Sequence, residues 1–277
     1  MTLSSRELLS GRVLITGASG GLGRAMAQAF AERGATLILT GRRAEVLEQM
    51  AAEFGGQAIV CDLADREAVE QLIGEMGEVD VLVANAGIPG AGALPDLTRD
   101  QIDEALEVNL RSQIALAHAA AERMVLRRRG HIVMMSSMAA KAIGGNASIY
   151  TTTKYALRGF ALAIREDLRP YDVGVSVVMP GLISDAGMLV DAGIPLPPGV
   201  GTRTSHEAAA GVIRAIEENR AEVEVAPLKM RAGLALTSLA PQFVSSMNRR
   251  RGGGAAAAAA SAAADAHPSD QGPSGDH

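Results

Sequence analysis

The sequence predicts an α/β protein built on a doubly wound, predominantly parallel sheet of seven strands with helices on both faces. Two patterns carry the prediction. Short, almost wholly apolar runs alternate with longer amphipathic runs, as parallel strands buried on both faces and their crossover helices require. The first apolar run also ends in a glycine-rich turn, Thr16-Gly17-Ala18-Ser19-Gly20-Gly21-Leu22-Gly23, set between a strand and a helix. With 277 residues, 48% of them hydrophobic and 21% charged, the chain can bury one large core, and residues 1–251 read as one domain.

In chain order, the predicted strands cover residues 12–16, 36–40, 57–60, 79–84, 131–136, 173–179 and 222–226. The helices between them are expected at 21–33, 43–53, 66–75, 99–127, 148–168 and 205–218. After Arg251 the composition shifts to glycine and alanine, then to Pro, Ser, Asp and Gly. Without an apolar face to bury, residues 252–277 cannot offset their ordering entropy and are expected to form a disordered tail.

Charge and composition narrow the function classes. Lys and Arg total 26 against 31 Asp and Glu, a net charge of −5, which argues against a nucleic-acid partner. Cys61 is the sole cysteine, so an intrachain disulfide is impossible and the cytoplasm is the simplest compartment. His118, His131 and His206 lack metal-ligand spacing, and no metal is expected. Residues 1–10 lack the apolar stretch of a secretory signal. The longest uncharged stretch, residues 232–248, contains Pro241 and Gln242 and makes a poor spanning helix. Its Leu236, Leu239, Phe243 and Met247 recur at helical spacing; packing on protein is favoured, and contact with a membrane surface is the lesser alternative.

The glycine turn has the form of a Rossmann-type dinucleotide site. Gly17, Ser19, Gly21, Leu22 and Gly23 fall where the chain turns sharply and a pyrophosphate can meet the N-terminus of a helix. Where a carboxylate often binds the adenosine ribose, Gly41 is followed by Arg42 and Arg43. Guanidinium groups suit a 2′-phosphate, so NADP(H) is expected over NAD(H). Asp62 and Leu63 after the third strand are expected to border the adenine, and Asn85, Ala86 and Gly87 lie at the carboxyl edge where such sheets bind ligands.

Tyr150 and Lys154 stand four residues apart, which puts phenol and ammonium on one face of a helix. A free tyrosine has a pKa of about 10, and bringing it to neutrality takes on the order of 4 kcal/mol from nearby cations. Lys154 and an oxidised nicotinamide could supply that. Ser137, at the end of the fifth strand, could donate a hydrogen bond to a substrate oxygen, while Ser136 beside it faces the other way.

Over about residues 1–230 the chain resembles the classical short-chain dehydrogenase/reductase family. The resemblance rests on Thr16-Gly17-x-x-x-Gly21-x-Gly23, Asn85-Ala86-Gly87, Asn109, Ser137, Tyr150-x-x-x-Lys154 and Pro180-Gly181. It implies that Tyr150 is the general acid/base, that Lys154 lowers its pKa and holds the nicotinamide ribose, and that Ser137 orients the substrate oxygen. It further implies that Asn109 holds a water of a proton relay and that Pro180 and Gly181 flank the nicotinamide. A homodimer or homotetramer is expected.

Two departures from the family stand out. Asp185 replaces the threonine that often contacts the cofactor carboxamide four residues after the Pro-Gly glycine. Tyr171-Asp172 and the final strand segment 222–227 also differ from carrier-protein-linked ketoacyl reductases, which makes that activity and its tetramer less expected. Residues 182–203 resemble the family's substrate lid. Leu182, Ile183, Met188, Leu189, Val190, Ile194 and Leu196 would give it an apolar wall or, equally, pack on the protein itself, and Pro195, Pro197 and Pro198 rule out a long regular helix. The expected activity is an NADP-dependent interconversion of a secondary alcohol with a ketone or aldehyde, running as a reduction on a small apolar substrate. The alternative is a catalytically silent NADP(H)-binding sensor or assembly protein.

Overall fold

The computed structural model describes residues 5–90, 92–142, 145–191, 193, 195–196 and 201–239. Its strands are β1 (Arg12–Thr16), β2 (Thr36–Gly41), β3 (Gly56–Val60), β4 (Val81–Ala84), β5 (Gly130–Met135), β6 (Val173–Pro180) and β7 (Glu222–Val225). They form one seven-stranded sheet in the order β3-β2-β1-β4-β5-β6-β7, and every neighbouring pair is parallel. The predominantly parallel sheet expected from the sequence is thus wholly parallel among the described residues. The chain crosses from β3 back over β1 to β4, which opens a switch point between β1 and β4 at their carboxyl ends.

Helices cover both faces: α1 (Ser5–Leu9), α2 (Gly21–Ala31), α3 (Ala44–Phe54), α4 (Arg66–Glu75), α5 (Arg99–Leu106), α6 (Ser112–Arg127), α7 (Ser148–Leu168), α8 (Met188–Asp191), α9 (Ser205–Glu217) and α10 (Leu228–Leu239). The strands read as unbroken apolar runs because neighbouring residues serve different layers. Val13 and Ile15 of β1 pack with Met26, Phe30, Leu47 and Val212 of α2, α3 and α9. Leu14 between them packs with Leu72, Leu116 and Leu157 of α4, α6 and α7. Leu37 and Leu39 against Ile38 repeat the pattern in β2. Each such fully buried side chain contributes about 2 kcal/mol of hydrophobic stabilisation.

The amphipathic run at 99–127 is not one regular helix. Thr98 opens α5 with a reciprocal capping box to Gln101, a π-helical turn follows over Glu107–Arg111, and α6 continues from it. Two helices went unanticipated, α1 and the short α8, and α10 begins ahead of the 232–248 stretch in which Leu236 and Leu239 recur at helical spacing. No helix among the described residues is long and apolar enough to cross a membrane. The rest of that stretch and the 252–277 tail lie outside the described residues.

Candidate active site

The first turn is shaped for close approach. Gly17 has φ +62°, a left-handed conformation, and a Cβ there would sit 2.9 Å from the Cα of Ala86. A Cβ on Gly23 would collide with the Gly17 carbonyl. Helix α2 begins at Gly21 with Gly20 as its N-cap and no side-chain cap, which leaves its N-terminal N–H groups and positive dipole end available to an anion. Ser19, Gly21 and Leu22 are partly exposed on this turn. A dinucleotide pyrophosphate fits that chemistry.

Thr16, buried at the end of β1, ties this turn to the next. Its hydroxyl accepts the N–H groups of Asn85 and Ala86, each at 2.9 Å, and the Asn85 side-chain amide donates to the Thr16 carbonyl at 2.9 Å. Gln113 of α6 then donates to the carbonyls of Ala86 and Val108, both at 3.1 Å. Asn85, Ala86 and Gly87 are therefore fixed across the β1–β4 switch point by two residues, Thr16 and Gln113, that the sequence pattern did not single out as functional. Thr16 carried a signal in its place before the glycines; Gln113 carried none, because it acts from a separate helix.

At the other end of the groove, Arg43 folds over the turn, bonding the Ser19 carbonyl and, at 3.3 Å, the Ser19 hydroxyl. A Cβ on Gly41 would stand 3.2 Å from Ser19 Oγ, so Gly41, Ser19 and Arg43 form one cluster. Arg42 is exposed. The Asp62 carboxylate accepts the Ala64 N–H at 3.0 Å, while Leu63 is buried and presents its carbonyl to the Ser112 hydroxyl at 2.7 Å. Leu63 can border a ligand only through its backbone.

The catalytic candidates meet at the carboxyl edge. Ser137 follows β5 and caps a short 3-10 turn by accepting the Ala139 N–H at 3.1 Å; Ser136 turns away and donates to the Lys154 carbonyl at 2.8 Å. Lys154, 3% exposed, donates from Nζ to the Met135 carbonyl at 3.0 Å and lies 5.6 Å from the Tyr150 ring centroid. Asn109 sits in the π turn, where helices often carry functional residues. Its side chain bonds both polar groups of the Ile88 backbone, at 2.7 Å and 2.8 Å. A methyl group added to Gly87 would stand 3.1 Å from Asn109 Oδ1, 3.5 Å from Lys154 Nζ and 3.6 Å from Met188 Cε. Those three side chains converge on one small space.

Burial governs both titrating groups. It pushes the Tyr150 phenol above its ordinary pKa, and the neighbouring Ser137 hydroxyl opposes it by hydrogen bonding. It pushes the Lys154 ammonium down to about 8. The depression of the phenol by Lys154 expected from the spacing is not what these groups produce by themselves. Nζ faces a carbonyl of β5, and the desolvation that both groups share is the larger influence.

Pro180 ends β6, and a Cβ on Gly181 would meet Met230 Sδ of α10 at 3.0 Å. Asp185 faces neither. Its carboxylate accepts the backbone N–H of Ser205 at 2.8 Å and its hydroxyl at 2.9 Å, at the start of α9. Burial raises this carboxyl, but the two bonds from Ser205 outweigh it and hold the pKa below the ordinary range. Residues 182–203 begin and end as a paired stem, with a parallel bridge between Ile183 and Arg203 and a 2.9 Å bond from the Ser184 N–H to the Arg203 carbonyl.

The short chain dehydrogenase family profile matches residues 12–193. Dehydrogenase/reductase SDR family member 7B of Xenopus laevis is 34% identical over 268 residues, covering 88% of this chain and 82% of that protein. A short-chain dehydrogenase from Sphingobium yanoikuyae in complex with NADPH superposes with a TM-score of 0.74 at 27% identity, over 85% of this chain and 95% of that one. The closed form of serine dehydrogenase complexed with NADP+ gives a TM-score of 0.72 at 25% identity, over 79% and 95%. Profile, relatives and a shared sheet topology agree with the residues gathered at the carboxyl edge, and the chain belongs to the short-chain dehydrogenase family of oxidoreductases.

Proposed function

We propose that the protein is an NADP(H)-dependent oxidoreductase that interconverts a secondary alcohol with a ketone or aldehyde, acting as a reductase on a small apolar substrate. The observation that carries this reading is the grouping of Ser137, Tyr150, Lys154 and Asn109 beside the glycine turn. A cofactor held along the glycine turn and Pro180-Gly181 would, when bound, supply the hydride for the carbonyl carbon. Tyr150 gives its phenolic proton to the carbonyl oxygen as charge develops there, and the Ser137 hydroxyl donates a hydrogen bond to the same oxygen. Lys154 and Asn109 serve the return of a proton to Tyr150. Burial raises the phenol, so the cations expected around it, Lys154 and an oxidised nicotinamide, would have to bring it down before it exchanges a proton near neutral pH.

Gly17, Ser19, Gly21, Leu22 and Gly23 would hold the pyrophosphate; Asp62, Leu63, Asn85, Ala86 and Gly87 would line the groove; Pro180 and Gly181 would flank the nicotinamide. The exposed Arg42 and the Arg43 cluster on Ser19 favour a 2′-phosphate, in keeping with the NADPH and NADP+ of the similar structures. Met188, whose side chain reaches the space beside Gly87, favours an apolar substrate, whereas Ile183 and Ala186 pack in the protein's own core. We place the activity in one domain over residues 1–251, in the cytoplasm, in a homodimer or homotetramer.

Tyr150→Phe tests the reading. Turnover of a ketone panel should fall about a thousandfold while the Kd for NADPH stays within about threefold of the parent. Undiminished turnover would refute the mechanism. Tight NADPH binding by the parent chain with no turnover of any carbonyl would leave the silent binder.

A further inference from the structure

We propose that Asp185 is a positioning residue whose carboxylate, clamped on Ser205, sets how residues 183–188 lie across the dinucleotide groove. The proposal rests on the cofactor reading above. The backbone bonds between the two stems of this segment end at Ser184: Arg203 donates to the Leu182 carbonyl and Ser184 to the Arg203 carbonyl, each at 2.9 Å. Beyond that ladder, the Asp185 side chain carries the attachment forward, through its 2.8 Å and 2.9 Å bonds from Ser205. Ser205 is itself held, 7% exposed, in the first turn of α9, which Thr204 and Glu207 cap reciprocally. The clamp therefore grips a rigid helix end.

Residues 186–188, just past the clamp, touch both halves of the groove. Ala186 covers Gly21, so closely that a Cβ on Gly21 would stand 2.5 Å from the Ala186 Cβ. Gly187, with φ +88°, turns the chain, and Met188 then reaches the space shared by Gly87, Asn109 and Lys154. The strap spans from the pyrophosphate turn to the catalytic amine. Its height above both is set one residue upstream of Ala186, by a charge-assisted pair of hydrogen bonds.

The test uses the full chain, stopped-flow release of NADPH, steady-state kinetics and amide exchange. In Asp185→Ala, NADPH release should quicken about tenfold and exchange at residues 186–191 should rise, with kcat changed less than KM for the cofactor. Ser205→Ala, which keeps the N–H bond, should quicken release about threefold, and Ser205→Thr should restore it. The double variant should be no worse than Asp185→Ala alone, because one interaction is being removed twice. A lost helix cap would lower Tm without altering release. Release within about twofold of the parent in Asp185→Ala, or additive effects in the double variant, overturns the proposal. A parent chain that binds no NADPH defeats the functional reading itself, whereas unchanged release from a variant of a chain that does bind it defeats only this inference.

Discussion

At the amino edge of the sheet, Asp80 accepts the Arg12 N–H at 3.0 Å and pairs with Arg127 at 3.2 Å and Arg129 at 2.8 Å. At the carboxyl edge, Lys154 makes no ion pair among the described residues; its ammonium has the Met135 carbonyl at 3.0 Å and the Tyr150 ring 5.6 Å away. Both charges are nearly enclosed; one is answered by opposite charge and the other is not. The paired group fastens β1, β4 and β5 at their starts. The unanswered one carries a desolvation cost, seen as an ammonium pushed down to about 8, and remains available to a reaction. Closure at one edge and exposure of chemistry at the other divide stability from function along the same strands.

That contrast breaks most visibly at Lys154. Lys154→Met should lower turnover about a thousandfold and yet raise Tm at pH 7. The sign follows from linkage: a lysine whose folded pKa of about 8 lies below its ordinary 10.5 binds its proton more tightly when unfolded, so it subtracts stability below pH 8. That penalty fades as pH rises from about 8 to 10.5, and the Tm gap between parent and variant should close over that window in thermal melts. A variant less stable than its parent at pH 7 would mean that the ammonium is a structural tie. Asp80→Ala should do the reverse. It should cost about 3 kcal/mol in urea unfolding, by stranding Arg129 and leaving Arg127 only Glu78 at 3.7 Å and the Val79 carbonyl at 2.6 Å, while kcat at low temperature is retained. Loss of activity without loss of stability there would erase the division. The smallest effect is expected at Arg42→Asp, where the ratio of kcat/KM for NADPH over NADH should fall about tenfold. An unchanged ratio would move phosphate recognition to Arg43 on Ser19.

The sheet was legible because its strands are enclosed on both faces. Val13, Leu14 and Ile15 need no polar alternation, because neighbouring residues serve different layers. The grouping at the carboxyl edge was legible for a related reason: Tyr150 and Lys154 share one helix, and Thr16 to Gly23 is one turn. The features that escaped depend on distant chain. Gln113 reaches Ala86 from another element, Asp185 finds Ser205 twenty residues on, and the direction of the Tyr150 shift depends on tertiary burial that spacing does not encode. Helix α1 is five residues long, too short to show a period.

The π turn at Glu107–Arg111 makes the length of this helical segment a quantity under constraint, separately from its composition. The turn accommodates an extra residue relative to an unbroken α-helix, and Asn109 lies inside it. Deleting Leu110 would let hydrogen bonding run regularly from α5 into α6, and would remove no strand, cap or fully buried side chain. Because the wide turn absorbs the extra residue, α5 and α6 would keep their relative facing, but Asn109 would move to the place Leu110 now holds relative to α6 and leave the Ile88 backbone. A one-residue deletion that local propensity would score as an improvement would there cost the protein the tie between Asn109 and Ile88.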